Sequence, residues 1–323
     1  MNTDSARILV IGAGVNGSVC ATYLQRGGLD VTILARGERV QEIETQGIVI
    51  ENPFNHQRTI TQVPVIDRLD PDDFYDYILV IVRKNQVTDL LPLLAQNRSP
   101  NIVFMGNNLS GPQEFYPFVA QERILLGFVF GGGKRDGSLI RAIVSTSVAV
   151  PFGEIDGRIT PRLQRLLAIF RQAGFKASAS TRIVDYQVTH AAAVALIGPL
   201  TMHYGCDLAA LSRATADLQL FARAWDEAHR VERALGYRIV PWTEGVLDYL
   251  PDFLIVAGFR ALLRSKLGEV GLAYHVSQAP DEMIHLAGEL QAMVERSGLP
   301  APSIEKIIGL PTDHPAEIHA ETG

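Results

Sequence analysis

The chain has 323 residues, of which 47% are hydrophobic, and its formal net charge is −6 at pH 7. This length exceeds one typical domain and suits two, each able to bury a sizeable core. The negative charge argues against a nucleic-acid-binding protein. The two cysteines, Cys20 and Cys206, lie too far apart in sequence to indicate a disulfide framework or a metal site.

The N-terminus and the apolar segments favour a cytoplasmic protein. The first residues, MNTDSAR, lack the basic start and the apolar core of a signal peptide. We find no run approaching the roughly 18 uncharged apolar residues of a membrane span, so we expect no membrane partner. With so few cysteines, a reducing cytoplasm is the simplest location.

The most informative motif follows the apolar run Ile8–Ile11 and reads Gly12-Ala13-Gly14-Val15-Asn16-Gly17. A strand, a glycine turn and a helix in this order hold the pyrophosphate of a dinucleotide. Gly12 permits the tight turn, Gly14 lets the backbone approach the phosphates, and Gly17 lets the helix pack close to the strand. The helix N-terminus offers N–H groups and a partial positive charge. We therefore predict a dinucleotide site at residues 12–17, with an ordinary glycine-rich turn as the alternative.

The residue after the second predicted strand, Val31–Ala35, bears on which dinucleotide binds. An NAD site usually places an acidic residue there, whereas arginine suits the 2′-phosphate of NADP(H). Arg36 follows the strand at once, and its guanidinium can bind a phosphate with two hydrogen bonds, assisted by Arg39. We predict NADP(H). Glu38, two residues further on, is the acidic alternative, and a solvated arginine pair at a helix start is the other.

The first half alternates short apolar runs with helix-like segments, the pattern of a parallel sheet covered on both faces. Gly131–Gly133 and Asp136-Gly137 predict a turn between two late strands, and a plain hairpin is the favoured interpretation. We expect a Rossmann-type doubly wound α/β sheet domain over residues 1–180. The further predicted strands are 48–50, 60–65, 77–82, 101–105, 123–130, 139–148, 147–152 and 175–179, and a helix is predicted over 161–172.

Beyond residue 181, long segments with helical spacing replace the strands. We expect an all-helical C-terminal domain over residues 181–310 and a polar, frayed tail over 311–323. Long amphipathic helices are compatible with a homodimer. The predicted helices of this domain are 183–203, 207–235, 244–268 and 280–297.

Ligands of open α/β sheets lie beyond the carboxyl ends of the strands, and clefts between domains are also common ligand sites. We therefore expect Arg83, Lys84 and Asn107, which follow predicted strands, to contact the cofactor or the substrate. A solvated helix start is the alternative for Arg83 and Lys84, and turn chemistry is the alternative for Asn107. The loops that follow the strands are Gly12–Gly17, Arg36, Arg83–Asn85 and Gly106–Asn108.

Taken together, these motifs resemble the ketopantoate reductase (2-dehydropantoate 2-reductase) family. The resemblance implies NADPH-dependent reduction of a 2-keto acid to a 2-hydroxy acid. In the family, a lysine on the first long helix of the second domain acts on the carbonyl oxygen, and asparagines one and two turns later help to hold the substrate. The segments that carry the resemblance are GAGVNG with Arg36, ILVIVRKNQV at 78–87, FMGNNLSG at 104–111, IGPLT at 197–201 and GELQAMVERSGLPAP at 288–302.

This chain departs from the family pattern in the substrate site. Counting back from Pro199, His190 stands at the lysine position. The two asparagine positions carry Val194 and Gly198, and a serine position falls near Val270. The resemblance matches Glu282 to a glutamate that helps to hold the substrate, Asn107 to an asparagine near the nicotinamide, and Arg83 to a lysine after the third strand.

We predict His190 as the general acid, because a histidine can donate a proton to a developing alkoxide at neutral pH. Glu282 would orient a substrate hydroxyl or His190. The alternative for His190 is a helix histidine that faces solvent or bonds to a neighbour. The alternative for Glu282 is a first-turn carboxylate, a role shared with Asp281, that the helix dipole favours. Weaker candidates are His203, Tyr204, Lys266 and His275.

Three functions are compatible with these residues. The first is a cytoplasmic NADP(H)-dependent reductase of a small 2-keto acid. The second is a reductase of a different carbonyl or imine compound, since the lysine and both asparagines are replaced. The third is a non-catalytic NADP(H)-binding sensor, in which the cofactor site is kept beside a depleted catalytic site.

Overall fold

The structure, a computed structural model, describes residues 6–128, 131–144 and 149–312. It divides into two compact units, Met1–His190 and Ala191–Gly323, whereas the sequence placed the boundary near residue 180. The division falls later because the first turns of the next helix pack with the sheet: Ile183 belongs to one of its apolar cores. Parts of the predicted late strands, 129–130 and 145–148, and most of the predicted tail, 313–323, lie outside the described residues.

The strands of the described residues all lie in the first unit. They are β1 (Arg7–Ile11), β2 (Asp30–Leu34), β3 (Ile48–Glu51), β4 (Arg58–Thr61), β5 (Val65–Ile66), β6 (Tyr77–Val80), β7 (Ile102–Met105), β8 (Ile124–Gly127), β9 (Gly131–Asp136), β10 (Leu139–Val144), β11 (Ala149–Gly153) and β12 (Lys176–Ala179).

The main sheet has eight strands in the order β12-β11-β8-β7-β6-β1-β2-β5. Neighbouring strands run parallel except β8 and β11, which are antiparallel. Its central strands β6 and β7 are apolar and buried along their whole length, as expected for a sheet covered on both faces. The predicted doubly wound α/β fold is therefore confirmed.

A second sheet of four strands, in the order β4-β3-β10-β9, was not predicted. Gly131–Gly133, expected in a turn, instead lies within β9, which pairs antiparallel with β10. A Cβ on Gly133 would lie 2.4 Å from the backbone oxygen of Arg141, so glycine here permits close approach of the neighbouring backbone. Gly137, with φ of 55°, makes the turn between the two strands.

Four helices accompany the sheets of the first unit. Thr160 caps the fourth of them: its hydroxyl accepts a hydrogen bond from the Leu163 amide, and Pro161 occupies the first turn. This helix has the bounds predicted from the sequence. The four helices are α1 (Val15–Arg26), α2 (Glu38–Gln46), α3 (Lys84–Gln96) and α4 (Pro161–Gln172).

The next helix, α5 (Ile183–His203), begins in the first unit and ends in the second. By length and composition alone it could span a membrane, so the expectation that no segment is apolar enough was wrong. However, 72% of its most apolar window is buried inside the protein, as in the core helix of a globular domain. The helix is therefore weak evidence for a membrane span.

The described part of the second unit is helical beyond α5. The predicted helix 207–235 is interrupted at Ala214, which has non-helical dihedral angles, and the predicted helix 244–268 is interrupted at Pro251 and Ser265. A π-helical turn, Glu269–Ala273, precedes the eleventh helix. The helices are α6 (Leu208–Arg213), α7 (Thr215–Ala234), α8 (Trp242–Val246), α9 (Asp252–Leu263), α10 (Lys266–Gly268), α11 (Tyr274–Gln278), α12 (Pro280–Ser297) and α13 (Pro302–Ile308).

Candidate active site

The glycine loop between β1 and α1 is closed toward the sheet and open on its other side. Gly12 has φ of 111°, and a Cβ on it would lie 2.2 Å from the backbone oxygen of Ile81. A Cβ on Gly17 would lie 1.8 Å from the backbone oxygen of Gly12. By contrast, a Cβ on Gly14 would meet no atom within 4 Å. The open side of Gly14 is where an extended phosphate group can approach the backbone.

The start of α1 is suited to an anion. Gly14 is its N-cap residue and supplies no side-chain hydrogen bond to the first N–H groups. No acidic side chain lies in the first turn. Such a helix start carries unsatisfied donors and the positive end of the helix dipole. The loop therefore fits the pyrophosphate of a dinucleotide.

Asn16, the fifth residue of the loop, contacts the glycine strand β9. Its side-chain oxygen is buried and has no hydrogen-bond partner among the described residues. A Cβ on Gly131 would lie 2.5 Å from this oxygen. The glycine at the start of β9 therefore leaves room for the side chain of the dinucleotide loop.

Arg36 lies after β2, exposed, and makes no hydrogen bond or ion pair with the described residues. Glu38, the acidic alternative, is also exposed, in the first turn of α2. Arg39 differs from the prediction that it assists Arg36, because its side chain is buried. Its guanidinium pairs with Glu42 at 2.8 Å and lies 3.4 Å from the Ser18 hydroxyl. Arg39 therefore connects α2 to α1, and Arg36 remains the guanidinium available for a phosphate.

Two cationic residues follow β6. Arg83 is the half-buried N-cap residue of α3. Lys84 is buried, and its ammonium forms an ion pair with Glu114 and donates to the Asn108 side-chain oxygen at 3.2 Å. Lys84 also lines a small cavity with Asn107, so its contact with the cofactor or substrate stays a prediction. In the structure, Lys84 holds the loop that follows β7.

That loop carries the predicted nicotinamide-side residue, Asn107. Its neighbour Asn108 is fixed from both sides, since it accepts from Lys84 and donates to the Gly111 oxygen at 3.1 Å. Asn107 is half-buried and lines a cavity of about 10 Å³ with Lys84 and Gln187. The loop lies at the carboxyl end of the sheet, where the topology places ligands.

His190 is half-buried on α5 between two aromatic rings. Its ring centroid lies 4.2 Å from that of Phe128, which directly follows β8. The ring of Tyr186 lies one turn earlier on the helix, 6.4 Å away and within 5° of parallel. The predicted general acid is therefore a packed side chain and not a fully solvated one.

Gln187 is a residue of this region that the sequence reading missed. It is buried, and its side-chain nitrogen donates to the backbone oxygens of Phe104 at 3.2 Å and Gly127 at 2.9 Å. A glutamine inside an apolar helix forms no motif. The available signal was its position three residues before His190, on the same helix face.

Glu282, in the second unit, lies in the first turn of α12 and is buried. One of its carboxylate oxygens lies 3.8 Å from Nε2 of His275 on α11. Asp281, its neighbour, is exposed. Burial beside a histidine distinguishes Glu282 from a solvated first-turn carboxylate.

The weaker candidates have other partners. His203 Nδ1 lies 2.9 Å from the Pro311 oxygen, and the Tyr204 hydroxyl donates to Asp217. Lys266 forms an ion pair with Glu269 at 2.8 Å. Each of these three side chains therefore has a hydrogen-bond or ion-pair partner in the second unit.

The remaining family positions offer no polar side chain. Val194 is half-buried, and Val270 is fully buried in the π-helical turn. At Gly198 a Cβ would lie 2.6 Å from the sulfur of Met283, so a side chain here requires the methionine to move. The packing of Met283 therefore favours glycine at position 198.

Comparisons with known proteins agree with the sequence motifs. The family model described as "Ketopantoate reductase PanE/ApbA" matches residues 8–157. The chain is also similar to a 2-dehydropantoate 2-reductase of Archaeoglobus fulgidus, with 25% identity over 199 residues. That match covers 60% of this chain and 63% of the relative, so it spans less than two thirds of the relative's length.

Solved structures share the fold over nearly the whole chain. A ternary structure of D-mandelate dehydrogenase with NADH and anilino(oxo)acetate has a TM-score of 0.78 at 16% identity and covers 94% of this chain and 96% of that one. A 2-dehydropantoate 2-reductase from Geobacter metallireducens GS-15 has a TM-score of 0.74 at 19% identity, with 94% and 98% covered. At these identities the likeness shows the fold. With the family match, it confirms the predicted resemblance to the ketopantoate reductases.

Proposed function

We propose that this chain, whose resemblance to the ketopantoate reductase family is confirmed, is an NADP(H)-dependent oxidoreductase that reduces a small 2-oxo acid to the 2-hydroxy acid. The observation that carries the proposal is the glycine loop, which excludes side chains at Gly12 and Gly17 and is open at Gly14. The family match over residues 8–157 supports the same assignment.

The cofactor would be held by the first unit. The loop Gly12–Gly17 binds the pyrophosphate, Arg36 binds the 2′-phosphate, and Arg83 and Asn107 complete the site at the carboxyl end of the sheet. The guanidinium of Arg36 is exposed and has no partner among the described residues, which supports NADPH over NADH. When bound, the cofactor supplies the hydride for the carbonyl carbon.

The proton would come from His190. An imidazolium N–H donates to the carbonyl oxygen and stabilises the negative charge that develops there. The rings of Phe128 and Tyr186 restrict the imidazole and keep water from two of its sides. Glu282, buried beside His275, is proposed to orient a polar group of the substrate.

A reductase for a different carbonyl or imine compound is the second candidate. It is favoured by Val194 and Gly198, which provide no hydrogen-bonding side chain where the family has asparagines. A panel of oxo acids, ketones and imines, with ketopantoate included, separates the two candidates by the loss of NADPH absorbance. Robust turnover of ketopantoate supports the first candidate, and turnover confined to other compounds supports the second. Tight NADPH binding without turnover of any compound would indicate a sensor.

Arg36→Ala tests the cofactor assignment. Loss of a charge-assisted contact of about 1.5–3 kcal/mol should raise the Kd for NADPH about 10- to 100-fold and leave the Kd for NADH unchanged. Arg26→Ala is the matched control. Arg26 is also an exposed arginine, but it lies at the C-terminal end of α1, away from the glycine loop. Fluorescence titration gives each Kd. Equal effects of Arg36→Ala on both cofactors would contradict the assignment.

We also propose a cytoplasmic homodimer. Both cysteines, Cys20 and Cys206, are unpaired, which suits a reducing compartment. Three large apolar side chains of the helical unit, Trp242, Tyr249 and Phe253, are 75%, 86% and 68% exposed, which supports self-association. Light scattering of the purified chain measures the assembly directly, and a monomer at micromolar concentration would contradict it.

A further inference from the structure

Gln187 lies on α5, three residues before His190, and its side chain is buried. Residues three apart on a helix lie on the same face, so the two side chains face the same region of the first unit. A glutamine in this position requires hydrogen-bond partners, because an unpaired buried amide is costly.

The partners of Gln187 are the ends of two neighbouring strands. Its side-chain nitrogen donates to the Phe104 oxygen of β7 at 3.2 Å and to the Gly127 oxygen of β8 at 2.9 Å. These strands are adjacent and parallel, with Met105 opposite Gly127. An amide nitrogen has two protons, and here each of them has an acceptor. The side chain is thereby fixed across both strand ends.

Each of these strand ends leads directly to a candidate functional residue. Two residues after Met105, the end of β7, the chain reaches Asn107, the predicted nicotinamide-side residue. Directly after β8 comes Phe128, whose ring centroid is 4.2 Å from that of His190. One carboxamide therefore links the helix that carries His190 to both loops.

We propose that Gln187 is a positioning residue that fixes His190 relative to the Asn107 loop, an inference that rests on the proposed function. It touches neither cofactor nor substrate. It acts by holding α5 against the carboxyl ends of β7 and β8. Loss of the carboxamide shifts the imidazole while the glycine loop, on the other side of β6, keeps its shape.

Asn97 provides a matched control within the same unit. It is equally buried, and its side-chain nitrogen also bridges two backbone oxygens, those of Asp70 at 3.0 Å and Asp73 at 2.8 Å. It follows the end of α3, whereas the candidate functional residues begin at the start of that helix. Its loss removes these two hydrogen bonds, and a third that its side-chain oxygen accepts from the Ser99 amide at 2.9 Å, without touching α5.

The experiment compares Gln187→Met with Asn97→Leu. We expect Gln187→Met to lower kcat about 10- to 100-fold, because displacement of a catalytic group by about 1 Å has effects of this size. The Kd for NADPH should change by less than about twofold. Both variants should lower the melting temperature by similar amounts, but Asn97→Leu should leave kcat unchanged. If Gln187→Met does not fold, Gln187→Asn, which keeps the amide but is too short for both carbonyls, takes its place.

A second readout is independent of activity. In spectra of the chain labelled with ¹⁵N-histidine, the His190 ring signals are assigned by their loss in His190→Ala. They should shift in the Gln187 variant and stay in place in Asn97→Leu. Unchanged His190 signals, or equal loss of kcat in both variants, would overturn the positioning role. If the unsubstituted chain does not oxidise NADPH with any of the oxo acids, the proposed function fails. The His190 ring signals still decide the role of Gln187 in that case.

Discussion

The glycine loop and the helix α5 show two ways of building one candidate site. In the loop, backbone crowding dictates the residues: a Cβ at Gly12 or Gly17 would collide with backbone oxygens. On α5, side chains dictate the chemistry, and the family's lysine and asparagine positions carry His190, Val194 and Gly198. A backbone-built site tolerates little variation, whereas a side-chain-built site can change its chemistry on the same helix. The difference predicts firm cofactor binding combined with altered substrate preference.

The largest expected effect is that of Gly17→Ala. Its Cβ would lie 1.8 Å from the Gly12 oxygen, so the loop must move, and we expect NADPH affinity to fall more than about 100-fold together with stability. Gly14→Ala is the informative counterpart. Its Cβ meets no protein atom, so we expect an unchanged melting temperature but weaker NADPH binding. Unimpaired NADPH binding by Gly14→Ala would break the comparison, since the open side would then not be the phosphate side.

The next effect is that of His190→Ala on α5. Loss of a general acid typically costs about 100- to 10,000-fold in rate, so we expect kcat to fall about 100-fold or more with the Kd for NADPH unchanged. Steady-state kinetics and fluorescence titration separate the two quantities. His203→Ala, whose ring lies beside the Pro311 oxygen, is the control. Normal turnover by His190→Ala would remove this residue from the mechanism.

A third prediction concerns a buried side chain that caps a helix of the second unit. The buried carboxylate of Glu227 accepts hydrogen bonds from the Ser303 and Ile304 amides, at 2.8 and 3.0 Å, and so caps the start of α13. We expect Glu227→Ala to lower the free energy of unfolding by about 2 kcal/mol, because the two amides are left unpaired. Urea denaturation measures the loss. Glu305→Ala, an exposed glutamate of α13, should change stability by less than about 0.5 kcal/mol.

The last prediction is a pH dependence of stability. Burial raises the pKa of Glu244 from its ordinary value of 4.5 to about 7, and one carboxylate oxygen has no partner among the described residues. The folded state binds this proton more tightly than the unfolded state. The associated stability is complete below about pH 4.5 and is lost as the pH rises toward 7.

Glu244→Gln removes this titration. Relative to the unsubstituted chain, the variant should gain about 3 kcal/mol in unfolding free energy between pH 4.5 and pH 8, since each unit of pKa shift is worth about 1.4 kcal/mol. Denaturation at both pH values measures the gain, with the exposed Glu38→Gln as control. A constant difference across this pH range would show that Glu244 does not titrate there.

Local patterns were sufficient for the parts of the fold that local sequence controls. The glycine loop could be predicted because its backbone shape demands particular residues, and α4 because Thr160 and Pro161 mark its start. The glycines of β9 were misread as a turn, because glycine accommodates close strand approach as readily as a turn. Apolar periodicity reports that a segment is buried but not what covers it, so the second sheet was missed.

For the site residues too, local sequence patterns do not show which groups come together in the fold. Arg36 and Arg39 are three apart in sequence, yet one is exposed and the other is buried against Glu42 and Ser18. The ion pair of Lys84 with Glu114 joins groups 30 residues apart. The contacts of Arg39 with Ser18 and of Lys84 with Glu114 are determined by tertiary packing, and no sequence motif predicts them.

The packing of Gly198 against Met283 has a consequence for how this sequence can change. An asparagine at position 198 would collide with the methionine sulfur, so that single exchange is expected to be harmful. Shortening Met283 alone would leave a void. Only the two changes together avoid both defects, so the positions are epistatic. An asparagine at position 198 is therefore expected to be tolerated best when residue 283 is smaller than methionine.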